Sequence, residues 1–338
     1  MTKKLTVALV GATGVVGEQF LRLMEDRALP VGELRLLATA RSAGRELTFR
    51  GELFTVAETT PEAFEGADIA FISASTEASR YWCPIARDRG AVAFDDSSAF
   101  RMESDVPLVV PEINGDTLRS HQGIIATPNC STVPLVLTLA PLMRKRGIRR
   151  VIADTYQSVS GSGGAAVTEL REQTAAHLAD RPYDPKVYPK RIAFNAIPQV
   201  DVFLESGYTK EEWKMVAESR KILQQKDLAI SATCVRVPTF VAHAAAVHVE
   251  LDAPLAAEVA RDLWREQEGL EVVDDLVNAG YPTPVDSADR DPVFVGRVRR
   301  DISHPNGLAY WVVGDNLRKG AALNILQMVE WMLDDGCL

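Results

Sequence analysis

The chain has 338 residues, 46% hydrophobic and 25% charged, with a net charge of −9, which is long enough for two hydrophobic cores and ordinary for a soluble globular protein. That charge excludes a general nucleic-acid binder, which needs clustered Lys and Arg, and no apolar run reaches the roughly 18–20 residues that span a bilayer. The four cysteines, Cys83, Cys130, Cys234 and Cys337, show neither paired spacing nor CxxC, so a disulfide framework or a metal site is not expected and a reducing, cytoplasmic setting is.

The start, "MTKKLTVALVGATG", places basic residues before a short apolar run. The run ends in a glycine turn with no cleavage-like region, so it reads as a first buried strand and not as a signal peptide. "LTVALV" (5–10) runs into "GATGVVG" (11–17) and then into "EQFLRLMED" with helical apolar spacing. Strand, glycine turn and helix form the setting of a phosphate-binding turn: Gly11 for the tight turn, Gly14 for close approach of a pyrophosphate, Gly17 for helix–strand packing. Further strands are expected at 34–38, 67–75, 91–96, 107–113 and 123–127, with helices between several of them, as in an open, mainly parallel sheet. The second strand ends in "ATARSAG" (38–44), with Thr39, Arg41 and Ser42 and no acid before Glu46. An NAD site usually carries a carboxylate there, whereas a guanidinium and hydroxyls suit the 2′-phosphate of NADP.

"IIATPNCSTVPLVL" (124–137) poses the main chemical question. Ser131, Thr132 and Pro134 signal a helix start, which puts Cys130 at the positive end of a helix dipole and favours the thiolate. Free cysteines are also among the most buried residues, so the sequence alone leaves packing and nucleophile both open. In "VIADTYQSVSGSGGAAVTEL" (151–170), Gln157 falls at a strand end, where it either orients a substrate or donates to an oxyanion, or is simply solvated. The helix at 209–225 opens with Thr209 and Glu212 in capping-box spacing, and Glu218 and Lys221 are neighbours that read as a surface ion pair. An extended reading of 235–252 turns His243 inward with Val247, Val249 and Leu251, and His248 toward solvent. Arg236 is unexpected in so apolar a stretch. The stretches 182–198 and 281–306 read as long surface excursions.

The motifs "GATGVVG", "ARSAG", "DDSSAFRM", "VVPEIN", "PNCST", "YQSVSGSG", "FNAIPQVD", "CVRVP" and "VVGDNLRKGAA" occur in this order, and over its whole length the chain resembles the aspartate-semialdehyde dehydrogenase family. The resemblance implies NADPH-dependent reductive dephosphorylation of L-aspartyl 4-phosphate to the semialdehyde, in the biosynthesis of lysine and diaminopimelate, threonine and methionine. It casts Cys130 as the nucleophile that forms a thioacyl intermediate, His243 as the acid/base and Gln157 as the residue orienting the thioester. Arg236 and Glu218 would hold the substrate's carboxylate and amine, and Arg101, Asn129 and Lys221 its phosphate. Gly11, Thr13, Gly14, Val15, Val16, Gly17, Thr39, Arg41, Ser42, Ser160, Gly161 and Asn316 would bind the cofactor.

The resemblance also implies an α/β fold. A Rossmann-type dinucleotide-binding domain (1–130, completed by a C-terminal helix within 318–338) would join an α+β catalytic and dimerisation domain (131–317) in a homodimer. Three motifs depart from the family pattern. Ala242-His243-Ala244 stands for Gly-His-Ser, "TPNC" for "NPNC", and "QSVSG", with Ser158, for "QAVSG". Two other readings remain at this stage. An N-acetylglutamyl-phosphate reductase is disfavoured because its cysteine usually sits in a "GCYPT"-like context. A non-catalytic NADP-binding paralogue is disfavoured because binding alone needs none of Cys130, Gln157, Arg236 and His243.

Overall fold

A computed structural model describes residues 4–338; the first basic residue of the opening run, Lys3, lies outside this range. Packing divides the chain into two units, Met1–Asn129 with Ala321–Leu338, and Cys130–Gly320.

In the first unit β1 (Leu5–Val10) is buried along nearly its whole length and leads through the glycine turn into α1 (Val15–Asp26). There follow β2 (Val31–Ala38), the β3 (Glu46–Phe49) and β4 (Glu52–Thr55) hairpin, and β5 (Ala57–Glu58). The unit continues with β6 (Ile69–Ile72), α2 (Thr76–Asp88), β7 (Val92–Asp95), α3 (Pro111–Asn114) and β8 (Ile124–Ala126). Six strands pair in parallel in the order β5-β2-β1-β6-β7-β8. A parallel sheet is covered on both faces, which accounts for the unbroken apolar runs of β1 and β6. Phe20 of α1 stacks on Phe71 of β6 with ring centroids 4.7 Å apart. The C-terminal helix Leu323–Asp335 returns to the same core through Leu323, Ile325, Leu326, Met328, Val329 and Met332. The expected strand at 107–113 is not formed. Leu108 makes one isolated bridge to Ala126, and Pro111 opens α3. Asn114 ties this stretch with its side chain, accepting from Val110 N and donating to Leu108 O, each at 2.9 Å; prolines at 107 and 111 remove the donors a ladder needs.

The second unit runs through α4 (Thr132–Arg146), β9 (Ile148–Gln157), α5 (Gly164–Leu178), α6 (Lys210–Ile222), β10 (Ala229–Arg236) and β11 (His243–Leu251). It continues through α7 (Ala257–Arg265), β12 (Leu270–Val272), α8 (Pro284–Ser287), β13 (Val293–Arg300) and β14 (Gly307–Gly314). Its mixed sheet has the order β10-β9-β11-β14-β13-β12. β9 pairs in parallel with β10 and antiparallel with β11, and β11 pairs antiparallel with β14. Along β11 the alternation places His243, Val247, Val249 and Leu251 inside and His248 at the surface, as expected. Residues 235–252 are not one strand: β10 ends at Arg236, and a loop separates it from β11. The stretch 281–306 also differs from its reading as an excursion, because β13 lies within it and is buried from Val293 to Gly296. In the stretch at 182–198, the buried Glu169 carboxylate holds the chain by accepting Lys186 N at 2.7 Å and Val187 N at 2.6 Å.

A Cβ at Gly17 would run into the carbonyl oxygen of Gly11 and the backbone of Ala12. Gly17→Ala therefore has to push α1 off β1, and a destabilisation of about 1–3 kcal/mol is expected in denaturant unfolding, together with weaker dinucleotide binding by titration.

Candidate active site

At the end of β1 the chain turns at Gly11, with φ +82°, where any Cβ would collide with the carbonyl oxygen of Ser73 just past β6. Here the strand order reverses, with β2 on one side of β1 and β6 on the other, the place where open α/β sheets bind ligands. Gly14 is the N-cap of α1 and no side chain caps it, so the first-turn amides of Val15, Val16 and Gly17 suit a pyrophosphate, with Thr13 in the same turn. Gly11 N and Ala12 N donate to Leu37 O at 2.9 and 3.2 Å, which ties this turn to the end of β2. A second turn follows there, with Ser42 N and Ala43 N donating to Thr39 O at 2.8 and 3.1 Å. It leaves Thr39 and Arg41 exposed and Ser42 half-buried. These residues fit a nicotinamide dinucleotide.

Also on the first unit, the buried Arg101 donates from its guanidinium to Asp96 O at 3.0 Å. The Asp96 carboxyl accepts from Ser73 Oγ at 3.2 Å, and burial pushes it up to about 6 against the opposing pull of Arg101. Asn129 is buried and ends this unit, one residue before Cys130.

The second unit opens on Cys130, partly exposed and immediately before Ser131, the N-cap of the 15-residue helix α4. The thiol therefore lies at the positive end of a helix dipole, as expected. Ser131 does not cap with its own hydroxyl, which instead accepts from Gln157 Nε2 at 2.8 Å. The same nitrogen donates to Glu211 Oε1 at 3.2 Å and Thr155 Oγ1 at 3.3 Å. An ionised carboxylate only accepts, so Glu211 decides which end of the amide it faces. Gln157 is then left with its carbonyl oxygen for a ligand, placed to accept from a substrate and not to donate to an oxyanion. Behind the cysteine, a Cβ at Gly320 would come within 2.9 Å of the Cys130 Cβ, so only glycine lets the backbone approach so closely.

One residue past Gln157, the backbone of Ser158 joins two further side chains. Its N–H donates to His243 Nδ1 at 3.0 Å, and its carbonyl accepts from Arg236 at 2.6 Å. Its hydroxyl lies 3.0 Å from the same Nδ1 and donates to Asn316 Oδ1 at 3.2 Å. Asn316 also takes the N–H of Ala242 at 2.9 Å and exchanges bonds with Ser160 Oγ at 2.9–3.1 Å. Ala242 adopts φ +69°, a left-handed conformation that costs a non-glycine residue about 1–3 kcal/mol. Gly161 closes the cluster: a Cβ there would lie 3.0 Å from His243 Nε2 and 3.1 Å from the Arg236 guanidinium.

Burial, followed by the Arg236 charge, lowers the His243 pKa to about 3, with the Ala242 carbonyl pulling weakly the other way. The ring is therefore neutral at ordinary pH, the form in which a histidine can take up a proton.

The structure thus joins Cys130, through Ser131, with Gln157, and joins Ser160, Gly161, Arg236, His243 and Asn316 around Ser158. Asn316, expected at the cofactor, is buried and its amide is occupied by Ser158, Ser160 and Ala242. Glu218 is only 1% exposed on the buried face of α6, so the solvated surface pair read from its spacing with Lys221 does not describe it. Lys221 is half-buried on the same helix. Sequence reading missed Glu211, which is buried beside the capping-box glutamate Glu212; two adjacent glutamates at a helix start look like dipole complements, and nothing in the pattern marks one as facing a glutamine. Among the described residues no group of three or more His, Cys, Asp or Glu side chains could hold a metal ion.

Gly161→Ala should put a methyl against both His243 Nε2 and Arg236. A loss of roughly 10²-fold in kcat/KM is expected, the scale of a 1 Å misplacement, with little change in unfolding midpoint. His243 also makes an acid prediction. An unfolded histidine titrates near about 6.5, so below that value the unfolded chain takes up the proton first. The stability from the neutral buried ring is whole above about pH 6.5 and is lost as pH falls toward 3. Thermal melts of wild type and His243→Gln between about pH 7 and 4 check this: the variant should gain on the wild type as pH drops.

The family description "Semialdehyde dehydrogenase, NAD binding domain" matches residues 6–121, and "Semialdehyde dehydrogenase, dimerisation domain" matches residues 139–319. The chain is 46% identical over 337 residues to the aspartate-semialdehyde dehydrogenase of Aquifex aeolicus, covering 98% of this chain and 99% of that one. It is 46% identical over 338 residues to the enzyme of Bacillus subtilis, covering 98% of each. Among solved structures, aspartate semialdehyde dehydrogenase II of Vibrio cholerae complexed with ASA superposes with a TM-score of 0.96 at 44% identity, covering 99% of both chains. The motifs, the parallel dinucleotide-type sheet, the cysteine at its helix end and these likenesses agree: the chain belongs to the aspartate-semialdehyde dehydrogenase family.

Proposed function

We propose that the protein catalyses the NADPH-dependent reductive dephosphorylation of L-aspartyl 4-phosphate to L-aspartate 4-semialdehyde, and the phosphate-dependent reverse. The observation that carries this reading is the end of β9, where Gln157 reaches the residue after Cys130 and Ser158 holds both His243 and Arg236. The family relative solved complexed with ASA supports a substrate of that kind.

Cys130 attacks the acyl carbon of the acyl phosphate. His243 takes the thiol proton as the C–S bond forms and the bond to the phosphate oxygen breaks, and phosphate departs. Arg236 pairs with the substrate's α-carboxylate and Glu218 with its ammonium; Lys221, Arg101 and Asn129 keep the phosphate-binding role that the family resemblance gives them. A guanidinium suits a carboxylate because its donors match both oxygens. Gln157 orients the resulting thioester, and His243 is the acid/base of the reaction. Bound NADPH would supply the hydride that reduces the thioester. When the reduced adduct collapses, its C–S bond breaks and Cys130 is regenerated with the proton that His243 returns. Gly11, Thr13, Gly14, Val15, Val16 and Gly17 would take the pyrophosphate.

NADP is favoured over NAD by the second turn, which presents Thr39, Arg41 and Ser42 where an NAD site would carry a carboxylate. The dimerisation-domain match supports a homodimer, and Tyr156 and Trp311, with rings 5.3 Å apart on the outer side of the second sheet, offer an apolar patch for it. No helix among the described residues is long and apolar enough to cross a membrane, and the expected setting is the cytoplasm.

The direct test follows absorbance of NADPH with aspartate semialdehyde, NADP and phosphate. Phosphate-dependent formation is expected in the wild type and none in Cys130→Ala. Folded wild type that binds NADP without turnover would overturn the assignment. Arg41→Ala should raise KM for NADP by roughly tenfold or more, the scale of one charge-assisted bond, while leaving KM for NAD nearly unchanged.

A further inference from the structure

Gln157 is buried at the end of β9, and its side-chain nitrogen meets three oxygens: Ser131 Oγ at 2.8 Å, Glu211 Oε1 at 3.2 Å and Thr155 Oγ1 at 3.3 Å. Two N–H bonds serve these three acceptors, so the longest contact is at most a shared one. The two hydroxyls can donate as well as accept, and either end of the amide would satisfy them. A carboxylate only accepts, so of the three Glu211 is the one that forces the nitrogen to this side and leaves the carbonyl oxygen for a ligand. Its other oxygen accepts from Lys214 Nζ at 3.2 Å, and that ammonium also donates to Asp201 Oδ2 at 2.8 Å. We propose that Glu211, paired with Lys214, is a positioning residue for Gln157: it selects the amide orientation that presents the carbonyl oxygen to the substrate.

This role rests on the reading of the site given above. Two adjacent glutamates open α6, and their carboxylates face different strands. Glu212 closes the capping box by accepting Thr209 N at 2.6 Å and also accepts Cys234 N at 2.9 Å, which ties the helix to β10 two residues before Arg236. Glu211 turns to β9. A glutamate that merely complements the helix dipole would lie in solvent, whereas Glu211 is 5% exposed. Burying a carboxylate is costly unless it is paired and hydrogen-bonded. Lys214 supplies the opposite charge here, and Gln157 is the hydrogen-bond donor.

Lys214 makes a shape-conserving substitution diagnostic. In Glu211→Gln the new amide has Lys214 on one side and Gln157 on the other. An ammonium only donates, so the new carbonyl oxygen faces Lys214 and the new NH2 group faces Gln157. Gln157 must then offer its own carbonyl oxygen in return, and the Ser131 and Thr155 hydroxyls can rotate to donate to that oxygen. The NH2 group of Gln157 is turned toward the ligand. The substitution therefore inverts the catalytic amide while keeping its volume and its place at the end of β9.

The tests use the full-length protein. Glu211→Gln is expected to lower kcat about tenfold with KM for aspartate semialdehyde held, the worth of one misdirected hydrogen bond. Adding Lys214→Met to that variant removes the donor that inverts the amide, and should raise kcat again by about threefold or more, a non-additivity read from the double-mutant cycle. Wild-type kcat in Glu211→Gln, or a double variant no faster than Glu211→Gln, would overturn the proposal. Proton–nitrogen NMR of protein labelled in glutamine side chains, with Gln157 assigned by difference against Gln157→Leu, reads the amide itself. Its protons should exchange with solvent more slowly than those of exposed glutamines in the wild type, and faster in Glu211→Gln. Fast exchange in the wild type would equally overturn the proposal, so the wild-type spectrum decides even where a variant does not fold. Failure of turnover in every protein, with the NMR result intact, would count against the substrate assignment and not against the role of Glu211.

Discussion

The second unit's cluster depends on the backbone of one residue, Ser158. Where β9 ends, Ser158 directs its N–H to His243 and its carbonyl to Arg236, and the residue before it binds Ser131 beside Cys130. Cys130, Arg236 and His243 come from places far apart in sequence: just before α4, the end of β10 and the start of β11. They share a site because β9 pairs with β10 on one side and β11 on the other. The strand order fixes which side chains meet, and the hydrogen bonds of the last two residues of the strand and turn fix how they point.

The side chains of this cluster are held by hydrogen bonds although they sit at strand ends. Gln157, Arg236 and His243 are all buried, and buried polar groups must be bonded or incur a desolvation cost. Most of their atoms meet that demand within the protein. The atoms that do not, His243 Nε2 and Arg236 Nε, belong to the groups a substrate is proposed to engage. The bonded atoms hold these side chains in place, and the two unbonded ones stay available to a ligand. Ala242, in a left-handed conformation immediately before the histidine, is a local strain that the surrounding bonds sustain.

Much of this was legible in the sequence because its signals are local. The glycine spacing of "GATGVVG", the apolar runs of β1 and β6 and the alternation of β11 each follow from a periodicity or a backbone demand. The role of Cys130 was half legible: the helix start was marked by Ser131 and Pro134, but the partners of the cysteine are set by strand pairing, which a single sequence does not display. Glu211 was invisible for the same reason, and the burial of Glu218 depends on which face of α6 the sheet covers. The failed strand at 107–113 is a different case. Its β-branched residues are right for a strand, yet flanking prolines and the Asn114 side chain supply another set of bonds.

The measurement that tests the central claim most directly is mass spectrometry of the protein mixed rapidly with aspartate semialdehyde and NADP in the absence of phosphate. The account predicts a covalent acyl adduct on the peptide that carries Cys130, cleared when phosphate is added. The absence of any adduct, or an adduct on Cys83, Cys234 or Cys337 instead, would contradict it.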